Sequence, residues 1–220
     1  MVRPGIGGQC VRQPAYRLSF TTGGLLRAEA VAIAGIMLSS NDAAQARDRA
    51  IAQNVVQQRT TASTVRMTRE VLQRLAELPE AGVELVAHGS VDDSRHALWL
   101  AACLRYRFLR DFGREVVRDR YVTGRSLVTS EDFDTFWNLQ SSWVDALRDA
   151  ADSTRNKLRQ NTFRMLRDAG MLSANGQVLP VHPTAAVSEV IAASDPTLLL
   201  SFPANDARVG GLAGASNGAR

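Results

Sequence analysis

Lysine is almost missing from this chain: Lys157 stands alone among 26 basic residues, and arginine supplies the rest. GC-rich codon usage accounts for such a bias, but its physical consequence holds whatever the origin. Arginine presents a planar fork of five donors that suits phosphate and guanine and can stack on bases. Cysteine is scarce as well. Cys10 and Cys103 are too few and too far apart for a disulfide framework or a CxxC metal motif. His88, His96 and His182 are scattered, and His96 with Cys103 on one helix supplies too few ligands for zinc, so no metal is expected.

Long apolar runs are absent. The longest, 30-AVAIAGIML-38, has nine residues, whereas a membrane-spanning helix needs about 20. The N-terminal MVRPGIGGQCVRQP lacks the hydrophobic centre of a secretory signal. A cytoplasmic protein without membrane contact is expected. No phosphate-binding G-x-x-x-x-G-K-[ST] or dinucleotide-binding G-x-G-x-x-G occurs, and strand-like alternation is weak. These absences argue against an α/β nucleotide fold. The acidic clusters Asp92-Asp93 and Glu131-Asp132 with Asp134 fall at expected helix starts, where capping accounts for them. No enzyme and no cofactor are expected.

What remains is an ordinary globular composition with a basic tilt. The 220 residues are 45% hydrophobic with a mean hydropathy of −0.13, enough for one domain or two small ones. A net charge of +4 and a pI near 9.7 admit an anionic partner. Helical periodicity dominates and predicts a mainly α fold. Residues 1–15 and 206–220 are Gly-rich and are expected to be flexible or disordered. Residues 16–150 read as a helical bundle. Residues 151–205 read as a C-terminal helix followed by short strands, a small α+β element.

Within the bundle, 16-YRLSF-20 is expected to be extended. Helices are then expected over about 25–38, 42–57, 60–78 and 80–86. A hydrophobic centre follows over 98–121, as two helices or as one bent near Gly113. Met67, Val71, Leu75 and Leu78 form one apolar stripe, and Leu104, Phe108, Phe112 and Val116 form another. Acids after Thr129 mark a further start, and Phe133, Phe136, Trp137 and Trp143 are expected in the core. Near the end, 177-QVLPV-181 and 197-TLLLSF-202 read as strands flanking a helix over 183–193.

Three arginine-bearing faces remain to be explained. The helix over 154–169, closed by Gly170, places Leu158, Met165, Leu166 and Ala169 on one side. Lys157, Gln160, Asn161, Arg164 and Arg167 occupy the other, which is either a nucleic-acid contact or a solvated face. Arg and Lys pair with guanine, Gln and Asn with adenine. Helix, SANG turn and QVLPV strand resemble the recognition helix and wing of a winged-helix module. A second face carries Arg59, Arg66, Arg69 and Gln73 behind a hydroxyl-rich start, Thr60, Thr61, Ser63 and Thr64, suited to phosphate or to water alike. The third, Arg107, Arg110, Arg114 and Arg118, has Asp111 and Glu115 beside it and reads as a salt-bridged surface.

Taken in order, 16-YRLSFTTGGLLRAEA-30, 54-NVVQQRTTASTVRMTREVLQRLAEL-78, 107-RFLRDFGREVV-117, 153-STRNKLRQNTFRMLRDAGML-172 and 202-FP-203 resemble the BrxA family of BREX bacteriophage-exclusion systems. The resemblance implies a helical bundle similar to the antitermination factor NusB, with a further C-terminal part, and DNA binding without catalysis. It also implies contact with other BREX components. Those neighbours include an adenine-specific DNA methyltransferase, an alkaline-phosphatase-like protein and large ATPases. The expected reading is a double-stranded-DNA-binding component. Its phosphate contacts would be Arg59, Arg66, Arg69, Arg155, Lys157, Arg159 and Arg164, with Gln160 and Asn161 near the groove. An RNA-binding module and a protein–protein adaptor are the alternatives.

Overall fold

A computed structural model describes residues 16–204. The chain enters as an irregular extended segment, residues 16–25, and then forms α1 (Arg27–Leu38), α2 (Ala43–Ala52), α3 (Thr61–Leu75), α4 (Glu80–His88) and α5 (Val91–Arg105). Helix α1 is apolar nearly all round, so it lies at the centre of this group and packs on α2, α3, α4 and α5. Helix α3 instead has one apolar stripe and turns Val71 and Leu75 inward. Asp42, Thr60 and Ser90 cap α2, α3 and α5, and Ser90 completes a capping box with Asp93.

The hydrophobic centre is two helices, the first of the two alternatives, and the break falls at Tyr106, where the backbone turns extended, and not at Gly113. Tyr106 is fully buried and its hydroxyl binds Glu70 at 2.5 Å, so side-chain anchoring fixes the break. Helix α6 (Arg107–Phe112) runs on through a π turn (Gly113–Arg118) into α7 (Asp119–Val122). Gly113 opens the π turn because a Cβ there would lie 2.7 Å from the Ser201 carbonyl oxygen. Phe108 is the hub of the core, with the rings of Phe20, Phe133, Phe136 and Trp137 at 5.2–5.9 Å. Trp143, expected in that core, is 80% exposed instead.

Helices α8 (Ser130–Ser141), α9 (Asp145–Arg148) and α10 (Asp152–Asp168) complete the aromatic half. Gly170, at φ 74°, ends α10 as expected, with the Arg95 guanidinium lying against it. Residues 126–128 and 171–179 form no continuous sheet. Isolated antiparallel bridges join Leu127 to Gln177 and Leu172 to Val178. Backbone bonds from Val128 to Gly176 at 2.9 Å and from Leu179 to Met171 at 2.9 Å extend this pairing. The expected 177–181 strand is thus reduced to bridges in a short hairpin that follows α10.

Helix α11 (Ala185–Ser194) docks on α4 and α5, tied by Thr184 Oγ1 to Asp93 Oδ1 at 2.6 Å. The Thr184 and Ser90 hydroxyls hold the Asp93 carboxyl below the usual range. The segment expected as a strand over 197–202 is a 3₁₀ helix, Pro196–Ser201. Pro196 sets the helical φ and the Asp195 side chain caps the Thr197 N–H at 2.9 Å, which outweighs the strand-like pattern. The expected flexible ends, with Cys10, lie outside the described residues.

Candidate nucleic-acid interface

Helix α10 begins in an extended turn at Ala151 and shows its polar side to solvent. Lys157, Gln160, Arg164 and Arg167 are all exposed, and none has a hydrogen-bond or ion-pair partner among the described residues. These four keep their donors available. The other expected contacts on this helix are partly or wholly committed. Arg155 binds Asp134 Oδ1 at 2.8 Å and lies 5.8 Å above the Trp137 ring. Arg159 binds Asp134 Oδ2 at 2.9 Å and Asn156 Oδ1 at 3.0 Å. One carboxylate of α8 therefore half-neutralises two arginines of α10.

Asn161 corrects the expectation directly. It is buried, and its amide donates to the Phe20 carbonyl at 2.9 Å, so it cannot reach a groove. It anchors the entering segment, one helical step away from the exposed stripe. The same segment is held twice more. Asp168 accepts from the Leu25 N–H at 2.9 Å, and Arg74 of α3 donates to the Gly24 carbonyl at 2.8 Å. Gly24 is pressed so closely against α10 that a Cβ would meet the Asp168 carboxylate and come within 3.0 Å of Arg164 Cγ.

Beside the exposed stripe runs an open groove of about 430 Å³. Gln160, Phe163 and Arg167 form one wall, Thr129 and Ser130 the other, and Asn175 with Gly176 closes the end. Gly176, at φ 85°, permits the tight turn; a Cβ there would lie 2.7 Å from the Val128 carbonyl oxygen. The groove gathers residues separated by more than forty positions, so no helical wheel could assemble it. Arg167 was visible on the wheel and the SANG turn was visible as a turn. Their meeting required the bridge to residues 126–128.

Arg59, just before α3, and Arg66 and Arg69 on it are exposed and without hydrogen-bond or ion-pair partners among the described residues. A polar cleft of about 210 Å³ lies at the start of the helix, lined by Asn54, Arg59, Thr60 and Thr61. The hydroxyls expected to meet phosphate are partly spent. Thr60 caps the Ser63 N–H at 3.2 Å, and buried Thr64 donates to Asn54 Oδ1 at 2.9 Å. Gln73 is taken by Arg105 at 2.5 Å.

The inner side of α3 holds a buried ionic group. Glu70 Oε1 accepts from Arg74 Nε at 2.8 Å and from the Tyr106 hydroxyl at 2.5 Å. Burial first, then the bond to Glu70, pushes the Tyr106 hydroxyl pKa up. The guanidiniums of Arg74 and Arg105 lie 5.8 and 5.5 Å from the Tyr106 ring. The third arginine stripe is salt-bridged in its first half, whereas exposed Arg114 has no ion-pair partner among the described residues. Arg107 binds Asp111 at 3.1 Å, and Arg110 reaches Asp111 at 3.6 Å and Asp195 at 3.8 Å.

Among the described residues no helix is long and apolar enough to cross a membrane. The BrxA family profile matches residues 14–195. A BREX protein BrxA of Bacillus cereus (strain H3081.97) is 24% identical over 74% of this chain and 81% of its own length. One of Paramagnetospirillum magneticum (strain ATCC 700264 / AMB-1) is 26% identical over 73% of this chain and 81% of its own. The crystal structure of an uncharacterized protein from Magnetospirillum magneticum has the same fold, with a TM-score of 0.71 at 24% identity over 86% of this chain and 98% of that one. The ordered resemblance read from the sequence and this match over most of its length agree: the chain belongs to the BrxA family.

Proposed function

We propose that this chain is a non-catalytic, cytoplasmic component of a BREX bacteriophage-exclusion system and binds double-stranded DNA. The observation that carries the reading is the unpaired stripe Lys157–Gln160–Arg164–Arg167, contiguous with the groove beside the 173–176 turn. A helix face with a hairpin at its side matches the two grooves and intervening backbone of a duplex. Exposed arginines without carboxylate partners neutralise phosphates at little desolvation cost and release counterions. The Arg59, Arg66 and Arg69 face of α3 supplies further backbone contacts. Arg155 and Arg159 contribute less, because Asp134 already offsets them.

Positioning comes from phosphate contacts, so the binding is sequence-tolerant, with Gln160 alone near base edges. About six engaged phosphates give a slope of log K against log salt near −5. The test is a salt series on a labelled random duplex with nuclease-treated protein and the double variant Lys157→Glu/Arg164→Glu. Steep salt dependence in the wild type and its loss in the variant supports the α10 face. Equal binding by both moves the contact to α3, and no binding at low salt removes DNA as the partner. Structured RNA that competes as well as duplex replaces DNA with RNA, since A-form helices hide their major-groove edges.

A further inference from the structure

Helix α8 ends in an apolar ridge that the fold leaves bare. Leu139 is 58% exposed, and Trp143, one turn further on, is 80% exposed. The Trp143 backbone N–H bonds to the Gln140 carbonyl at 3.0 Å, so a closing turn carries the residue past the end of α8. Helix α9 folds back against this end through Arg148 Nε and the Ser141 carbonyl at 3.3 Å. Leu139 also lines a groove of about 220 Å³, floored by Val116 and Phe136 between α8 and the π turn. A largely exposed tryptophan one turn from a groove with an apolar floor and charged rim is an anchor without a socket.

Charge decides what covers it. Most bases around this surface are matched: Arg120 with Asp132, Arg125 with Asp119 at 3.7 Å, and Arg148 with Asp145 at 2.9 Å. Exposed Arg114, beside Glu115, has no ion-pair partner among the described residues. The acids outnumber it: Glu115 at the groove and exposed Asp149 and Asp152, which follow Trp143 in the chain, have no ion-pair partner among the described residues either. Burial first, and then Asp111, raises the Glu115 pKa, which an incoming cation would relieve. The ridge therefore repels phosphate at the same end of α10 where its arginines are tied to Asp134.

We propose that Leu139 and Trp143, with Glu115, Asp149 and Asp152 around them, dock a basic segment of another protein whose apolar side chains fill the groove. The surface is distinct from the proposed DNA face and stands or falls without it. Both could be occupied at once.

The experiment places a benzophenone amino acid at position 143, or at exposed Val91 as control, in the full chain expressed with the rest of its defence system. The expected result is a protein adduct at 143 and not at 91. The captured peptide carries net positive charge and apolar residues, and the adduct weakens with Asp149→Asn/Asp152→Asn. Trp143→Ala then lowers affinity for the captured protein by about tenfold or more, with thermal melting and DNA affinity unchanged. A nucleic-acid adduct, a second copy of this chain, an acidic peptide, or a yield no higher than at 91 overturns the proposal.

Discussion

Helices α3 and α10 carry nearly the same cargo of arginines and spend it differently. On α3 the split is by depth. Arg74 faces inward, buried with Glu70, while Arg66 and Arg69, with Arg59 just before the helix, are exposed and unpaired among the described residues. On α10 every basic side chain lies at least partly in solvent, and the split runs along the axis. Arg155 and Arg159, near the start, are held by Asp134 of α8, whereas Arg164 and Arg167, towards the end, are unpaired. What an arginine does is thus set by the carboxylate that a neighbouring helix brings to it, and position on its own wheel says only which neighbour it meets.

The strongest break in this comparison is at the buried pair. Arg74→Met should destabilise the fold by about 3–5 kcal/mol, because Glu70 is then a buried charge with only the Tyr106 hydroxyl for company. Chemical denaturation measures it, and adding Glu70→Gln should recover much of the loss. A loss under 1 kcal/mol would mean Arg74 is no more committed than Arg66.

Acid separates interior from surface without mutation, since guanidinium groups do not titrate. His96 is buried with neither ring nitrogen hydrogen-bonded among the described residues, and burial depresses its pKa to about 4 from the ordinary 6.5. The unfolded chain takes up the proton first. Stability from this site is complete above pH 6.5, falls as pH drops from 6.5 towards 4 and costs at most about 3 kcal/mol. His96→Leu should flatten that part of the profile, read as Tm against pH.

Releasing the tied arginines of α10 gives a smaller effect of opposite sign. Asp134→Asn should raise duplex affinity several-fold at low salt, about 1 kcal/mol, and steepen the salt slope by up to about two. An unchanged slope would show that the start of α10 stays off the duplex. Smallest of all, Arg66→Ala should change stability by no more than about 0.5 kcal/mol and reduce the salt slope by about one.

Much of the bundle was legible because helical periodicity and caps are local. The Met67–Val71–Leu75 stripe, the helix start at Thr129 and the Gly170 stop all follow from neighbours within a turn or two. Failures came where a distant partner decides. Asp134 lies 21 residues before Arg155 and on another helix, so the pairing was invisible on the wheel. Asn161 was grouped with the polar side by residue type, although at 100° per residue it lies about 40° from Met165 on the apolar side, where its amide meets the Phe20 carbonyl, 141 residues earlier. The closing 3₁₀ turn was misread because an apolar run outweighed two local signals, Asp195 and Pro196.

Gly24 has no side chain to give, and that makes it a spacer. It sets the distance between the entering segment and the last turns of α10, with the Asp168 carboxylate in the room a methyl group would need. Gly24→Ala would displace that carboxylate from the Leu25 N–H and shift Arg164 with it, changing no charge on the protein. The reach of the basic surface is in this sense calibrated from behind, by a residue that never meets the ligand.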